Sequence, residues 1–408
     1  MRVGCLGGVE YNFELGDASA YRTAALTLAD QGVYSFSVEA PWVPTAYRPP
    51  GYTAFLALVA LVSPAPIASQ LVQIFVSLAT ALLLFLIARR IASGTECLVL
   101  GVSALNPFDA VYAGAGLSEC ITTFLVVCIA AALSLLEGRS RLIWAGVLLG
   151  GLCLFRDIYL ALIPFGGVLF LLLGPREHLR RRLGEVVVVG VVVVLMIIPW
   201  TARNFMQFGK LIPISAGRLG YSLWMGTWAT DGSFTTNDAT GRRYPDVAFL
   251  KAADREAVVT AGTDILTSEP IFKRLFGERM SAEPGRVFLR WLVRWPRLWF
   301  GTRFDIFELN RAVLPAGSRA WMLTKASLFA LNALFVMGAV IGGVFAYRAR
   351  SPVRWALLPL AFTSLVYLPL NSFENRYSQP MFPFLTLLLA FGLSALRARW
   401  LLTRTPKP

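Results

Sequence analysis

The chain has 408 residues, of which 56% are hydrophobic and 15% charged, and its formal net charge is +14. A soluble domain carries about a quarter charged residues, and the long apolar runs in this chain exclude that class. The basic excess lies in short clusters between the runs, so nucleic acid is not needed to explain it.

Residues 1–66 read as a first extracytoplasmic segment. Asp17 stands in Gly16-Asp17-Ala18-Ser19-Ala20-Tyr21, ahead of a helical stretch ending near Ala29. Asp is a favoured N-cap, although Ala20 supplies no capping-box partner. Arg48 precedes Pro49-Pro50, a good helix start; a turn with an exposed arginine is the plainer reading. Tyr52–Val62 is apolar but short and is closed by Pro64 and Pro66. It is expected to lie at the interface rather than to span. An outside segment with no span before it implies one more helix upstream. A longer reading frame encoding an apolar segment would support that, and a stop codon just before Met1 would sink it.

Residues 67–200 hold most of the apolar runs. Ile67–Ile91 goes inward to Arg89-Arg90. Cys97–Leu105 goes out to a short turn at Asn106-Pro107, and Leu117–Leu136 returns to Arg139. Leu142–Leu154 goes out, Ile158–Leu173 comes back to the Arg176–Arg182 cluster, and Val186–Trp200 goes out again. Residues 201–320 form a large outer loop. Residues 321–408 return through Trp321–Ala346, Trp355–Leu370 and Gln379–Leu396 to a basic cytoplasmic tail. Five basic clusters on one side hold eleven of the fourteen net positive charges, the bias that marks cytoplasmic loops. Backbone groups in lipid must pair within their own segment, so the runs are helices.

In the large loop, Arg286, Arg290, Arg294 and Arg297 share one helical face, among Phe288, Leu289, Trp291, Leu292, Trp295, Leu298 and Trp299. Pro296 should kink or end that helix. Such a helix suits the headgroup layer or packs on the bundle; the pattern allows both.

Few residues offer chemistry on the outer face. Glu119 starts a membrane helix, where a carboxylate also suits the helix dipole. Arg156-Asp157 interrupts two apolar segments and could pair locally. Arg203 follows Pro199-Trp200, and Arg376 lies in Glu374-Asn375-Arg376-Tyr377. Each could simply anchor a helix end, or together they could hold a lipid phosphate, which guanidinium geometry suits. The one histidine, His178, lies in a basic cytoplasmic loop, which excludes histidine catalysis outside. The cysteines 5, 97, 120, 128 and 153 have no metal-ligand spacing.

Five stretches in order resemble a known family. They are Gly16-Asp17 with Tyr21 and Ala24-Ala25; Tyr47-Arg48-Pro49-Pro50-Gly51-Tyr52; Leu117-Ser118-Glu119; Pro199-Trp200-Thr201-Ala202-Arg203-Asn204 with Phe208-Gly209; and Glu374-Asn375-Arg376-Tyr377 with Pro380 and Pro383. The chain resembles bacterial members of glycosyltransferase family 39 in the GT-C superfamily, relatives of protein O-mannosyltransferases and lipid A aminoarabinose transferases. The resemblance implies an all-α polytopic membrane protein, a GT-C-like bundle of about nine or ten spans of ~20 residues, with interfacial helices in the outer loops. It implies catalytic roles for Asp17 and Glu119 and donor-phosphate contacts from Arg48, Arg156, Arg203 and Arg376, with Tyr21, Tyr52 and Tyr377 in support.

The partners implied are a polyprenyl-phosphate sugar donor, an acceptor that is lipid, glycan or protein, and membrane lipid. The place implied is the bacterial inner membrane, with the site facing the periplasm or exterior. No cofactor is implied with certainty. In some relatives an acid before the basic-Pro-Pro run joins a histidine as metal ligands; here Tyr47 fills that position and no outer histidine exists. The expected reaction is displacement at the anomeric carbon with Asp17 as general base. The alternative is a transporter or flippase for an anionic lipid or polyprenyl-linked solute, which would need charges at mid-membrane and paired broken helices. A third reading, an assembly subunit without chemistry, leaves the outer acids and arginines unexplained.

Overall fold

The computed structural model describes residues 16–37, 39–172, 176–216, 219–227, 235–237, 243–245, 265–301, 317–370 and 375–404. The first fifteen residues, Glu374 of the last motif and most of 228–264 and 302–316 lie outside the described residues. The protein is an all-α polytopic membrane protein. Its helices are α1 (Gly16–Gln31), α2 (Pro50–Ala60), α3 (Pro66–Ile91), α4 (Glu96–Leu105), α5 (Pro107–Gly114), α6 (Glu119–Leu135), α7 (Gly138–Phe155), α8 (Leu162–Leu172) and α9 (Leu179–Phe208). The long connection between α9 and the last helices adds α10 (Leu219–Gly226), α11 (Ile265–Ala282), α12 (Pro284–Arg294) and α13 (Pro296–Trp299). The last are α14 (Arg319–Arg348), α15 (Leu357–Tyr367) and α16 (Phe382–Arg404). A short ribbon pairs β1 (Thr235–Asn237) with β2 (Arg243–Pro245), antiparallel.

Among the described residues each expected apolar run is helical over most of its length. Among the described residues five helical stretches are long and apolar enough to cross a membrane, and six if the bent pair α4–α5 is one span. The others, such as Glu119–Leu135 and Asp157–Leu172, are apolar but shorter.

The burial pattern of α3 is inside out. Gln70 and Gln73 are fully buried, while Phe75 is 70% exposed and Leu78 and Leu82 also face outward. In water such an apolar surface would be costly. In lipid it is the favoured arrangement, and the polar groups must find partners inside.

Those partners explain a correction. Within Asn106–Gly116, expected as a short outer loop after the Asn106-Pro107 turn, residues 107–114 form the buried helix α5, bent 51° from α4. Pro107 and the Asn106 cap start it. Gln70 Nε2 donates to the Gly114 carbonyl at 2.7 Å, and Gln73 Nε2 to that of Ala115 at 2.8 Å. Gln73 Oε1 accepts from the Tyr52 hydroxyl at 3.2 Å. Gln73→Leu would take this partner from the Ala115 carbonyl and the Tyr52 hydroxyl, at about 1–3 kcal/mol for a buried group left unpaired. The expected result is a lower melting temperature in detergent; unchanged melting would show that the carbonyls find other partners.

A second correction concerns α9, expected to end at Trp200. It runs through Pro199 to Phe208 and stops at Gly209, whose φ of 62° suits glycine. Proline leaves the carbonyl of the preceding turn without its usual partner. Thr201 and Asn204 instead draw the following strap onto the helix, through the carbonyls of Pro213, Ile212 and Ile214.

The α12–α13 region breaks at Trp295, just before Pro296, as the sequence implies. Its arginine face turns partly to protein. Arg294 is 1% exposed and donates to the Gly226 carbonyl at 3.0 Å, as Trp291 Nε1 does at 2.9 Å. Arg290 donates to the Thr227 carbonyl. The bundle-packed reading therefore holds for Arg290 and Arg294, while Phe288, Leu289, Leu292 and Val293 face outward.

Candidate functional site

The candidate residues come from distant stretches of chain and meet at the ends of helices. Asp17 lies in the first turn of α1. Its Oδ1 accepts from Arg48 Nη2 at 2.6 Å, and its Oδ2 from Arg376 Nη2 at 2.9 Å. The Asp17 carboxylate thus bridges two guanidinium groups and does not act simply as a helix cap.

Arg48 is held on every side. Its backbone carbonyl accepts from the Tyr34 hydroxyl at 3.0 Å. Its guanidinium lies over the rings of Tyr21 and Tyr47, 4.9 and 5.3 Å from their centroids. Burial pushes the Arg48 guanidinium down, but Asp17 and the two tyrosines outweigh it, and the group stands above its ordinary value. Arg48 is therefore a permanent cation despite being only 7% exposed. Tyr21 and Tyr52 stack edge to face at 4.9 Å, so the two rings join α1 to α2.

Gly51 explains how α2 comes so close to α7. A Cβ there would lie 2.5 Å from the Phe155 ring and 2.8 Å from the Leu154 carbonyl. Only glycine permits that approach, and it brings the segment carrying Arg48 against the end of α7, where Arg156 follows.

Glu119 opens α6 and is 2% exposed. Its Oε1 lies 3.5 Å from Arg156 Nη1 and 4.0 Å from Arg376 Nε. Arg376 therefore spans both carboxylates. Arg156 and Asp157 turn to different partners: Asp157 accepts a short hydrogen bond from Ser215, so its charge is directed to the strap. Arg156 stacks over Tyr377 at 5.3 Å, and Tyr377 lies flat on Tyr367 at 5.0 Å.

Arg203 is placed differently. It donates to the Thr45 carbonyl at 2.8 Å and stacks on Trp200 at 4.8 Å. It pins the strand of chain that leads to Arg48. Ala216 N–H donating to the Ala46 carbonyl adds a second tie.

The structure thus gathers Asp17, Arg48, Glu119, Arg156, Arg376, Tyr21 and Tyr377, with Tyr52 just behind, and sets Arg203 at the loop beside them. Three guanidinium groups converge on Asp17 and Glu119, while the nearby Asp157 is turned to Ser215. Bidentate arginine geometry suits a phosphate. Among the described residues, no group of three or more His, Cys, Asp or Glu could hold a metal ion.

Sequence reasoning did not reach Gln73, Tyr367 or Ser215. The signal for Gln73 was present: an amide inside an apolar span is costly and usually has a task. Tyr367 and Ser215 carried no signal of their own.

No family model and no curated protein matches the chain. Among solved structures it is similar to ArnT from Cupriavidus metallidurans in the apo state, with 13% identity and a TM-score of 0.40 over 96% of this chain and 76% of that one. It is also similar to the same protein bound to undecaprenyl phosphate, with 12% identity and a TM-score of 0.42 over 97% and 78%.

Proposed function

We propose that the protein is a membrane glycosyltransferase that moves a sugar from a polyprenyl-phosphate donor to an acceptor on the extracytoplasmic face of a bacterial inner membrane. The observation that carries this reading is the Asp17 carboxylate held between Arg48 and Arg376, with Arg156 and Glu119 beside them. The absence of a nucleotide-binding glycine motif from the sequence agrees with a lipid-linked donor. The ordered motifs shared with family 39 enzymes agree as well.

The geometry suggests how the donor prepares the base. With both oxygens taken by guanidinium groups, Asp17 is a poor proton acceptor. A donor phosphate entering beside Arg48 and Arg376 competes for the same N–H groups. As they turn to the phosphate, Asp17 is released next to a second anion, which raises its affinity for a proton. The acceptor oxygen then attacks the anomeric carbon, its proton passes to Asp17, and the bond from that carbon to the phosphate oxygen breaks. The electron pair stays on the phosphate, where the arginines offset the growing charge. Glu119 keeps Arg156 and Arg376 in place.

The test is transfer in membranes that contain the natural chain. A panel of labelled polyprenyl-phosphate sugars is supplied with membrane lipids, glycans and proteins as acceptors. Loss of label from one carrier, dependent on the chain, establishes the activity and names the donor. No loss from any carrier by well-folded protein, with movement of the lipid between leaflets, would favour the flippase alternative.

A further inference from the structure

The polar contacts of the site continue inward from Arg376. Gln379 lies three residues further along the 3₁₀ segment Asn375–Met381, in which positions i and i+3 eclipse. It is 1% exposed, and its Nε2 donates to Asp109 Oδ1 at 2.7 Å. Asp109 Oδ2 accepts from Asn106 Nδ2 at 2.9 Å. Asn106 Oδ1 in turn accepts from the Phe108 N–H at 3.0 Å, which caps α5. The chain leaves α5 toward Glu119. One carboxylate therefore ties the segment that bears Arg376 to the segment that leads into Glu119.

The surroundings require a reason for that carboxylate. Asp109 borders a small cavity with Ser77, Thr80, Ser103, Tyr112 and Gln379, inside a bundle whose outer surface is apolar. An acid within a membrane bundle is costly and is usually functional. Here it is the group that can accept from two amide N–H donors at once. An asparagine at 109 could accept from Gln379, but it would set its own NH₂ against that of Asn106. Turning Asn106 to relieve this would break the α5 cap.

We propose that Asp109 is a positioning residue: through Gln379 it fixes where Arg376 meets Asp17 and the donor phosphate. The inference rests on the polyprenyl-phosphate reading above. Arg376 shares the entering phosphate with Arg48, and its own contact strengthens as charge grows on the departing oxygen, so its displacement should affect kcat more than KM.

The experiment measures kcat, KM and thermal melting for the natural chain with the donor it uses. It repeats them for Asp109→Asn, for Gln379→Met, and for the exchange Asn106→Asp with Asp109→Asn. Both single substitutions should lower kcat about ten- to a hundredfold, the scale of an ångström-sized misplacement, with KM within about threefold. The exchange puts a carboxylate at 106 that caps Phe108 and accepts from the new amide at 109, which still accepts from Gln379. It should return kcat to within about threefold of the natural chain. Single variants with unchanged kcat, or an equally well-folded exchange no faster than Asp109→Asn, overturn the proposal. If Asp109→Asn does not fold, Gln379→Met decides by the same criterion. A natural chain that turns over no donor removes the underlying reading and this inference with it; an active natural chain with indifferent variants removes this inference alone.

Discussion

Asp17→Asn is expected to lower sugar transfer by about 10²–10⁴-fold, the usual contribution of a general base, while leaving the protein folded. The substituted amide keeps one oxygen that can accept from Arg48 or Arg376, in place of the 2.6 and 2.9 Å contacts of the carboxylate. It cannot take up a proton at pH 7. Removal of one partner from a fully buried ion pair costs about 3–5 kcal/mol, but the Asp17 side chain is 19% exposed, and solvent reduces that cost. The measurement is label transfer from the donor beside a melting curve. Folded protein with full activity would remove Asp17 from the mechanism and return attention to Glu119. Inactive protein that still binds polyprenyl phosphate would place the loss at the proton transfer.

Gly342→Val is expected to give the largest loss of stability. Gly338 and Gly342 lie one turn apart on α14, and Gly392 faces them from α16. A Cβ added at Gly392 would come 2.7 Å from the Gly342 Cα, and one added at Gly342 would collide with the Leu388 backbone carbonyl. Small residues at this spacing let two membrane helices touch backbone to backbone. Overpacking usually costs about 1–3 kcal/mol, and a collision with backbone belongs at the upper end or beyond. The substituted protein should melt well below the natural one in the same detergent, or fail to accumulate in membranes. An unchanged melting temperature would mean that α14 and α16 can separate without penalty. The site should suffer too, since α16 continues directly from the segment that carries Arg376. Gly338→Ala is a milder companion, because the atom that its Cβ would meet is a Leu389 side-chain methyl rather than backbone.

Much of the architecture was legible in the sequence because lipid leaves the backbone little choice. Long apolar runs must be helices there, and each expected run is one. Prolines also acted as read: Pro49-Pro50 start α2, and the break before Pro296 separates α12 from α13. Other features depended on contacts that a linear pattern does not carry. The 107–114 stretch reads as a loop by position, yet it is a helix whose end can be buried because two glutamines on α3 donate to the Gly114 and Ala115 carbonyls. The end of α9 reads as Trp200 by hydropathy, yet polar residues continue the helix because the strap supplies partners for them.

For the site, the sequence by itself determined which acids and arginines lie near the ends of apolar helices, and that the one histidine, His178, sits apart from them in a basic loop. Asp17, Arg48, Glu119, Arg156 and Arg376 could all be named from local motifs. Only the tertiary structure decided their pairing, since Asp17 and Arg376 are 359 residues apart in the chain. Tertiary contacts likewise turned Asp157 to Ser215, committed Arg203 to the Thr45 carbonyl, and placed Asp109 beneath Arg376 through Gln379. Hydropathy and helix signals act over a few turns and so can be read along the chain. Ion pairs and amide contacts depend on which helix ends are brought within about 3 Å, and that is set by how the whole bundle packs.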